Sequence, residues 1–431
     1  MVSNPDLGSQ VVVSSGKGLV VFDSFWSEVT ARRFRKVISE SLGRNDFSYV
    51  VNMADRLDMI GGNHAYPEAI LVGQDNIAAK YCEEDAVKEE LTELIEMWME
   101  KEGYSRDRLQ NMKPGSDEAM EEESWLKKCV TMADELEHSF SLVLPEQSYH
   151  DKMSLDLGDV SINLIWFGNS GNYKGLTMAV IPCEKLAIMS KAFVYPDFHL
   201  APFPYPYYGE LDVPQWISVL EQVLEGEDPV ERIVLSDGEE VYPAEQLQQH
   251  LVYIRELWNS VKILEAQGRT LQEIQEKLSL DREFTFVKEM EVYKNSGDFW
   301  LRPQHEMHVK LFFLQGRNLA SRILKEGGPE SLETSLAKIK YLGDEVYFDE
   351  VSMDFLGTEW MNHDNIPEAI EVFELNAEIF PDSFSALNSL GTAYMRNGDT
   401  ENAITNFKKS FALNPENRYA EEMLEELAVG K

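Results

Sequence analysis

The sequence predicts an α/β layered domain followed by an all-α repeat module, and three observations carry that expectation. Between Gln10 and Val72, short β-branched runs alternate with segments of helical spacing. Between Lys152 and Met189, short strands follow one another with no helix between them, which points to a second sheet packed on the first. Near the C-terminus, a set of residues recurs after 34 positions.

In chain order, QVVVSSGKGLVVFD (10–23) reads as two strands around a Gly-Lys-Gly turn, Ser27 to Leu42 as a helix, FSYVVN (47–52) as a strand, and Ala69 to Val72 as another. From Asp85 to Phe140 the texture becomes charged and Met-rich, with a break at KPGSD (113–117), as in a helical insertion covering one side. Strands resume at Lys152–Leu157, Val160–Phe167, Leu176–Ile181 and Leu186–Met189. The run YPDFHLAPFPYPYYGE (195–210) is too rich in proline for a helix or central strand and reads as an ordered aromatic loop, either a lid over a pocket or a flat surface loop. Trp216–Leu224 reads as a helix, Arg232–Leu235 as a strand and Ala244–Glu265 as a long helix. Arg269 to Lys340 reads as mostly helical, with a break at KEGGPE.

Leu356, Gly357, Ala369, Ile370, Phe373 and Pro381 recur as Leu390, Gly391, Ala403, Ile404, Phe407 and Pro415, each 34 positions later. This resembles the tetratricopeptide (TPR) repeat, in which the glycine marks a close crossing of two helices and the Ala and Phe positions bury their faces between neighbours. Two repeats plus a capping helix, 418–427, are expected to be docked intramolecularly or to another copy, because an isolated solenoid needs about three repeats for stability.

With 431 residues and 43% apolar content, the chain is long enough for more than one core. Its 39 Lys and Arg against 76 Asp and Glu give a formal charge of −37, which argues against a nucleic-acid partner. Three cysteines at wide spacing encode neither a disulfide framework nor a Cys-rich zinc site. They point to a reducing, cytoplasmic setting, although a chain whose secretion leader had been removed would read the same. No apolar run approaches the ~20 residues of a membrane span. His305 and His308 share a helical face but lack the HExxH arrangement, so packing is the stronger expectation there than metal.

At Asn52-Met53-Ala54-Asp55-Arg56-Leu57-Asp58-Met59-Ile60-Gly61-Gly62-Asn63 the chain resembles the metallo-β-lactamase-fold hydrolases. Their frame is Asn-Thr, then His-x-His-x-Asp-His, then Ile/Val-Gly-Gly-Asn. The resemblance extends through LVLPEQSYHDKMSLDLGD (142–159) and DVPQWISVLEQVL (212–224) to members with a TPR-like C-terminus. It implies an αββα metallo-β-lactamase-like sandwich over 1–265, with its helical insertion at about 85–140, a helical connector over 266–345, and an all-α TPR-like module over 346–431.

Matched position by position, the zinc ligands of that family are replaced by Ala54, Arg56 and Met59, with Asp58 alone retained. The next histidine falls on Gly171 or Asn172, depending on the end from which GNSGNYKGL is counted; the bridging Asp falls on Lys191 and the last His on Asp237. Zinc requires converging neutral imidazoles or anions, so the expectation is no metal, no cofactor and no zinc-dependent hydrolysis. Instead, Arg56 and Lys191 are expected to pair with Asp58 and Asp237, since buried anions are costly unless paired. Asn172, His64, His199, Tyr195, Phe198 and Tyr205 are the expected pocket wall. Three functions then compete: a pseudoenzyme that binds a small molecule or peptide, a metal-independent enzyme using the Arg/Lys/Asp pocket, and an assembly protein working through its TPR groove.

Overall fold

The computed structural model describes residues 2–4, 8–82, 84–169, 173–190, 212–227, 229–236, 241–290, 297–314, 350–362, 365–415 and 417–429. Among the expected features, the aromatic loop with Tyr195, Phe198, His199 and Tyr205, the break at KEGGPE, and Gly171, Asn172, Lys191 and Asp237 lie outside the described residues.

A two-stranded hairpin of β1 (Val2–Asn4) and β2 (Gly8–Gln10), which the sequence reading did not separate, precedes the expected strands β3 (Val12–Ser15) and β4 (Gly18–Phe22). Helix α1 (Glu28–Leu42) begins at Ser27, whose side chain accepts from the Thr30 N–H, and ends at Gly43 in the left-handed region. β5 (Phe47–Asn52), the one-turn helix α2 (Leu57–Ile60), β6 (Ile70–Gln74) and α3 (Asp75–Lys80) follow. Next come the long helices α4 (Glu84–Gln110) and α5 (Asp117–Ser139), then β7 (Gln147–Tyr149).

The first sheet has the order β3-β4-β5-β6-β7, antiparallel between β3 and β4 and parallel beyond. The second is β8 (Lys152–Asp156), β9 (Ser161–Trp166), β10 (Thr177–Ile181), β11 (Leu186–Met189), β12 (Arg232–Leu235) and β13 (Val241–Pro243). They lie side by side in that order, and only β11 and β12 run parallel.

Strand periodicity explains why the sheets stack. In β4, Val20 and Phe22 face the second sheet while Leu19 and Val21 face the opposite side; Val51 against Val50, and Val72 against Leu71, repeat this division in β5 and β6. The inter-sheet core joins Val20, Phe22, Val51 and Val72 to Ile162, Leu164, Ala179, Ile181, Ile188 and Val234. On the outer side of the first sheet, Ala31 and Ile38 of α1 complete a second core with Leu19, Val21, Val50 and Leu71. Because β4, β5 and β6 are covered on both faces, they read as continuous apolar runs. Helix α6 (Val213–Glu225) lies on the second sheet's outer face: Trp216 stacks on Phe167, and Val223 shares a cavity wall with Ile165 and Val180. Helix, sheet, sheet, helix is the αββα sandwich expected from the sequence.

The insertion is an αα-hairpin. Its helices pack chiefly on each other, with Trp98 and Trp125 ring centroids 5.8 Å apart, and the break falls where Gly115 adopts φ +76° and Ser116 caps α5. Helix α7 (Ala244–Ala266), α8 (Leu271–Lys277) and α9 (Gly297–Leu314) follow the sandwich. His305 and His308 serve packing: both are buried, His305 Nε2 lies 2.7 Å from the Leu278 carbonyl, and His308 stacks on Phe312.

Two compact units divide the chain: Met1–Phe203 with Asp212–Asn259 and Leu280–Gln304, and Pro204–Leu211 with Ser260–Ser279 and His305–Lys431. In the second unit, Glu350–Asn362 pairs with Ile366–Ile379, and Phe384–Arg396 with Thr400–Leu413. A Cβ on Gly357 would stand 2.6 Å from the Phe373 ring, and one on Gly391 2.8 Å from the Phe407 ring. The same close crossing thus recurs one 34-residue period later. The final helix, Arg418–Val429, buries Ala420 against Ala403 and Phe407, as a capping helix does. Among the described residues, no helix is long and apolar enough to cross a membrane.

Candidate functional site

The frame Asn52…Gly61-Gly62-Asn63 is built by close backbone approach. A Cβ on Gly61 would come within 2.3 Å of the Trp26 carbonyl oxygen, and one on Gly62 within 1.9 Å of that of Ser24, so only glycine fits either position. The Ser24 N–H donates to the Met59 carbonyl, and the Gly62 N–H to that of Phe25. Asn63 locks the arrangement from within: its Nδ2 donates to Asn52 Oδ1 (2.9 Å) and the Val143 carbonyl (2.7 Å), while its Oδ1 accepts from Ser24 Oγ and Asn52 Nδ2. Gly61, Gly62 and Asn63 are therefore architectural: they hold the end of β5 and the segment after α2 against Ser24–Trp26 and Val143.

Between β5 and α2, Ala54 is fully buried, and Met59 of α2 is nearly so, with its sulfur 3.9 Å from Ser190 Oγ just after β11. Arg56 and Asp58 form a two-pronged ion pair: Nε donates to Oδ1 at 2.9 Å and a terminal nitrogen to Oδ2 at 2.7 Å. The Asp58 side chain is 3% exposed and that of Arg56 21%, and the guanidinium lies 5.3 Å from the Tyr173 ring centroid.

A second set of charges surrounds this pair. Asp55, buried, accepts the Lys174 and Gly175 backbone N–H groups on its two oxygens at 3.0 and 2.9 Å. Its own carbonyl accepts from Lys80 Nζ (2.9 Å) and Tyr81 OH (2.8 Å). Glu90, reaching in from α4, accepts from the Leu57 N–H (3.0 Å), Tyr81 OH (2.7 Å) and Lys80 Nζ (2.8 Å). Asp55, Asp58 and Glu90 thus face Arg56 and Lys80, with Tyr81 and Tyr173 between them.

Burial pulls the Arg56 and Lys80 cations down, but Asp58 for the first, and Glu90 with Asp55 for the second, outweigh it and leave both above their ordinary values. Burial, reinforced by Glu90, pushes the Tyr81 phenol well above its usual range, and burial raises Tyr173 as well. Burial also pushes the Asp55 carboxyl up, opposed by Lys80 and the two N–H donors.

These residues do not fit a binuclear zinc centre. Ala54 has no donor atom, Met59 offers only a buried thioether, Arg56 brings a fixed positive charge, and the one retained acid has both oxygens engaged by that guanidinium. Among the described residues, no three His, Cys, Asp or Glu side chains converge as a ligand group. Of the expected cluster, the structure brings Arg56 and Asp58 together; Lys191 and Asp237 lie outside the described residues. His64 is exposed on the turn Asn63–Ala65, which packs against α1.

Asp55, Lys80, Tyr81, Glu90 and Tyr173 escaped sequence reading. Asp55 sits between two replaced ligand positions and was open to inspection. Glu90 is one acid among many in a charged helix, and only tertiary placement distinguishes it.

In sequence, the tetratricopeptide repeat model matches residues 384–417, and no curated protein matches the chain. In structure, the stereoselective inverting sec-alkylsulfatase Pisa1 from Pseudomonas sp. is similar at 14% identity and a TM-score of 0.44, covering 94% of this chain and 62% of its own. The chain therefore spans about three fifths of that enzyme's length. A metallo-beta-lactamase from Pontibacter korlensis is similar at 13% identity and a TM-score of 0.35, over 57% of this chain and 85% of its own. One from Hirschia baltica is similar at 10% identity and a TM-score of 0.35, over 57% and 84%. The layers described above, rather than these likenesses, establish the fold.

Proposed function

We propose that the sandwich is a zinc-independent binding domain, a pseudoenzyme whose ligand is a small molecule or peptide held over the site that Arg56 and Asp58 occupy. One observation supports this reading: Arg56 and Asp58, at positions matched in sequence to metal ligands of the resembled family, form a two-pronged ion pair that engages both oxygens of the one matching acid. Without a metal-activated water the family's hydrolysis has no nucleophile. The division into 1–265, 266–345 and 346–431 belongs to the same proposal.

Protein purified with added zinc, dialysed and analysed for metal is expected to retain only substoichiometric amounts. Stoichiometric zinc, or turnover of a sec-alkyl sulfate or a β-lactam, would overturn the reading. A metal-independent enzyme using Lys191, Asp58, Arg56 and Asp237 is the second reading. It is favoured by the presence of charged residues where apolar filler would have been enough to close the site. Any turnover abolished by Lys191→Ala in a folded protein would establish it.

A further inference from the structure

The helix α2 begins without a side-chain cap of its own. Arg56 stands at its N-cap in extended conformation (φ −130°, ψ 128°) with no capping bond, and Asp58 has both oxygens on the Arg56 guanidinium. The acceptor for the first helical N–H, that of Leu57, comes from elsewhere in the sequence: Glu90 Oε1, 3.0 Å away on the insertion hairpin. The other Glu90 oxygen holds Lys80 Nζ and Tyr81 OH; Lys80 also donates to the Asp55 carbonyl, which lies 2.8 Å from the Tyr81 oxygen and shares that hydroxyl's single proton with Glu90. The peptide groups on either side of Arg56, the carbonyl before it and the N–H after it, are therefore gripped by one network with Glu90 at its hub.

The hairpin's other root is different in kind. Glu135 of α5 accepts from Trp26 Nε1 (3.0 Å), Ser27 Oγ, Thr30 Oγ1 (2.6 Å) and Arg33 (3.1 Å), all on α1 or just before it. Glu135 ties the hairpin to the sandwich, whereas Glu90 ties it to the loop that carries the ion pair.

We propose that Glu90 is a positioning residue: through the Leu57 N–H, Lys80 and Tyr81 it fixes the backbone on which the Arg56–Asp58 pair is aimed, so that hairpin docking and site geometry are coupled. The proposal rests on the reading that this pair forms the site. A residue 34 positions from Arg56, on an inserted element, sets the geometry of the replaced centre. Displacement of the hairpin root would loosen the pair without touching either of its members.

The test uses the full chain labelled with 15N-arginine, with the Arg56 Nε–Hε resonance assigned by its loss in Arg56→Lys. In the native protein this proton, held by Asp58, is expected to exchange slowly. Glu90→Gln keeps one acceptor but cannot serve Leu57, Lys80 and Tyr81 together, and should speed exchange about tenfold, the factor that losing a helix cap is worth. Tyr81→Phe, which removes one hydroxyl from the network, should give a smaller acceleration, and it carries the test if Glu90→Gln does not fold. Glu135→Gln should leave the resonance unchanged. Slow exchange that survives both Glu90→Gln and Tyr81→Phe overturns the proposal, as does equal acceleration by Glu135→Gln. Fast exchange already in the native protein overturns the ion-pair reading itself, a result distinguishable from either.

Discussion

Breaking the Arg56–Asp58 pair one member at a time tests the replaced centre most directly. Arg56→Met removes the cation and leaves the Asp58 carboxylate, whose side chain is 3% exposed, without its two charge-assisted bonds. Removing one member of a buried ion pair costs about 3–5 kcal/mol. Asp58→Asn strands Arg56, but that side chain is 21% exposed and rests on Tyr173, so solvent and the ring recover part of the loss. About 2–3 kcal/mol is expected there. If the two losses were independent, the double variant would fall by about 6 kcal/mol; with neither charge left to strand it should fall by only about 2, a coupling of roughly 3–4 kcal/mol. Seven of the eight tryptophans lie in the first compact unit, so urea unfolding followed by fluorescence reports on the unit that holds the pair. Losses that add to within about 0.5 kcal/mol would refute the pairing as an energetic unit.

Gly391→Ala places a methyl 2.8 Å from the Phe407 ring, inside a crossing that cannot open without displacing the helix Thr400–Leu413. A loss of about 1–3 kcal/mol is expected, and calorimetry showing unchanged melting of the repeat module would contradict it. His250 is buried, and burial lowers its pKa to about 3 from an ordinary 6.5. Below pH 6.5 the unfolded chain therefore takes up a proton that the folded one refuses, and this contribution to stability is lost as pH falls from 6.5 towards 3. The term approaches about 5 kcal/mol at its limit. Stability measured against pH should lose up to one proton of slope in that window on His250→Gln, and an unaltered slope would count against a neutral buried imidazole.

Much of the fold was legible because strand and helix periods are local. FSYVVN and LAIM are short, mostly apolar stretches of strand length, and the structure places β5 and β11 on them. The 34-residue recurrence located both glycine crossings because a crossing tolerates only one residue type at its closest point. The Gly61-Gly62-Asn63 frame was recognisable for the same reason: nothing else fits under the carbonyls of Trp26 and Ser24.

The sequence by itself thus determined the layers, the repeats, the absence of histidine at 54, 56 and 59, and the expectation of an Arg/Lys/Asp cluster, of which the structure brings together Arg56 and Asp58. Only the tertiary structure decided what surrounds that pair. Lys80, Tyr81 and Glu90 arrive from α3, its C-cap and α4, and nothing local in a lysine, a tyrosine or one glutamate of a charged helix marks it as a partner. The physical reason is that buried charge is balanced through space, by whichever side chains the packing of distant elements delivers, while the chain encodes locally only the shapes of those elements.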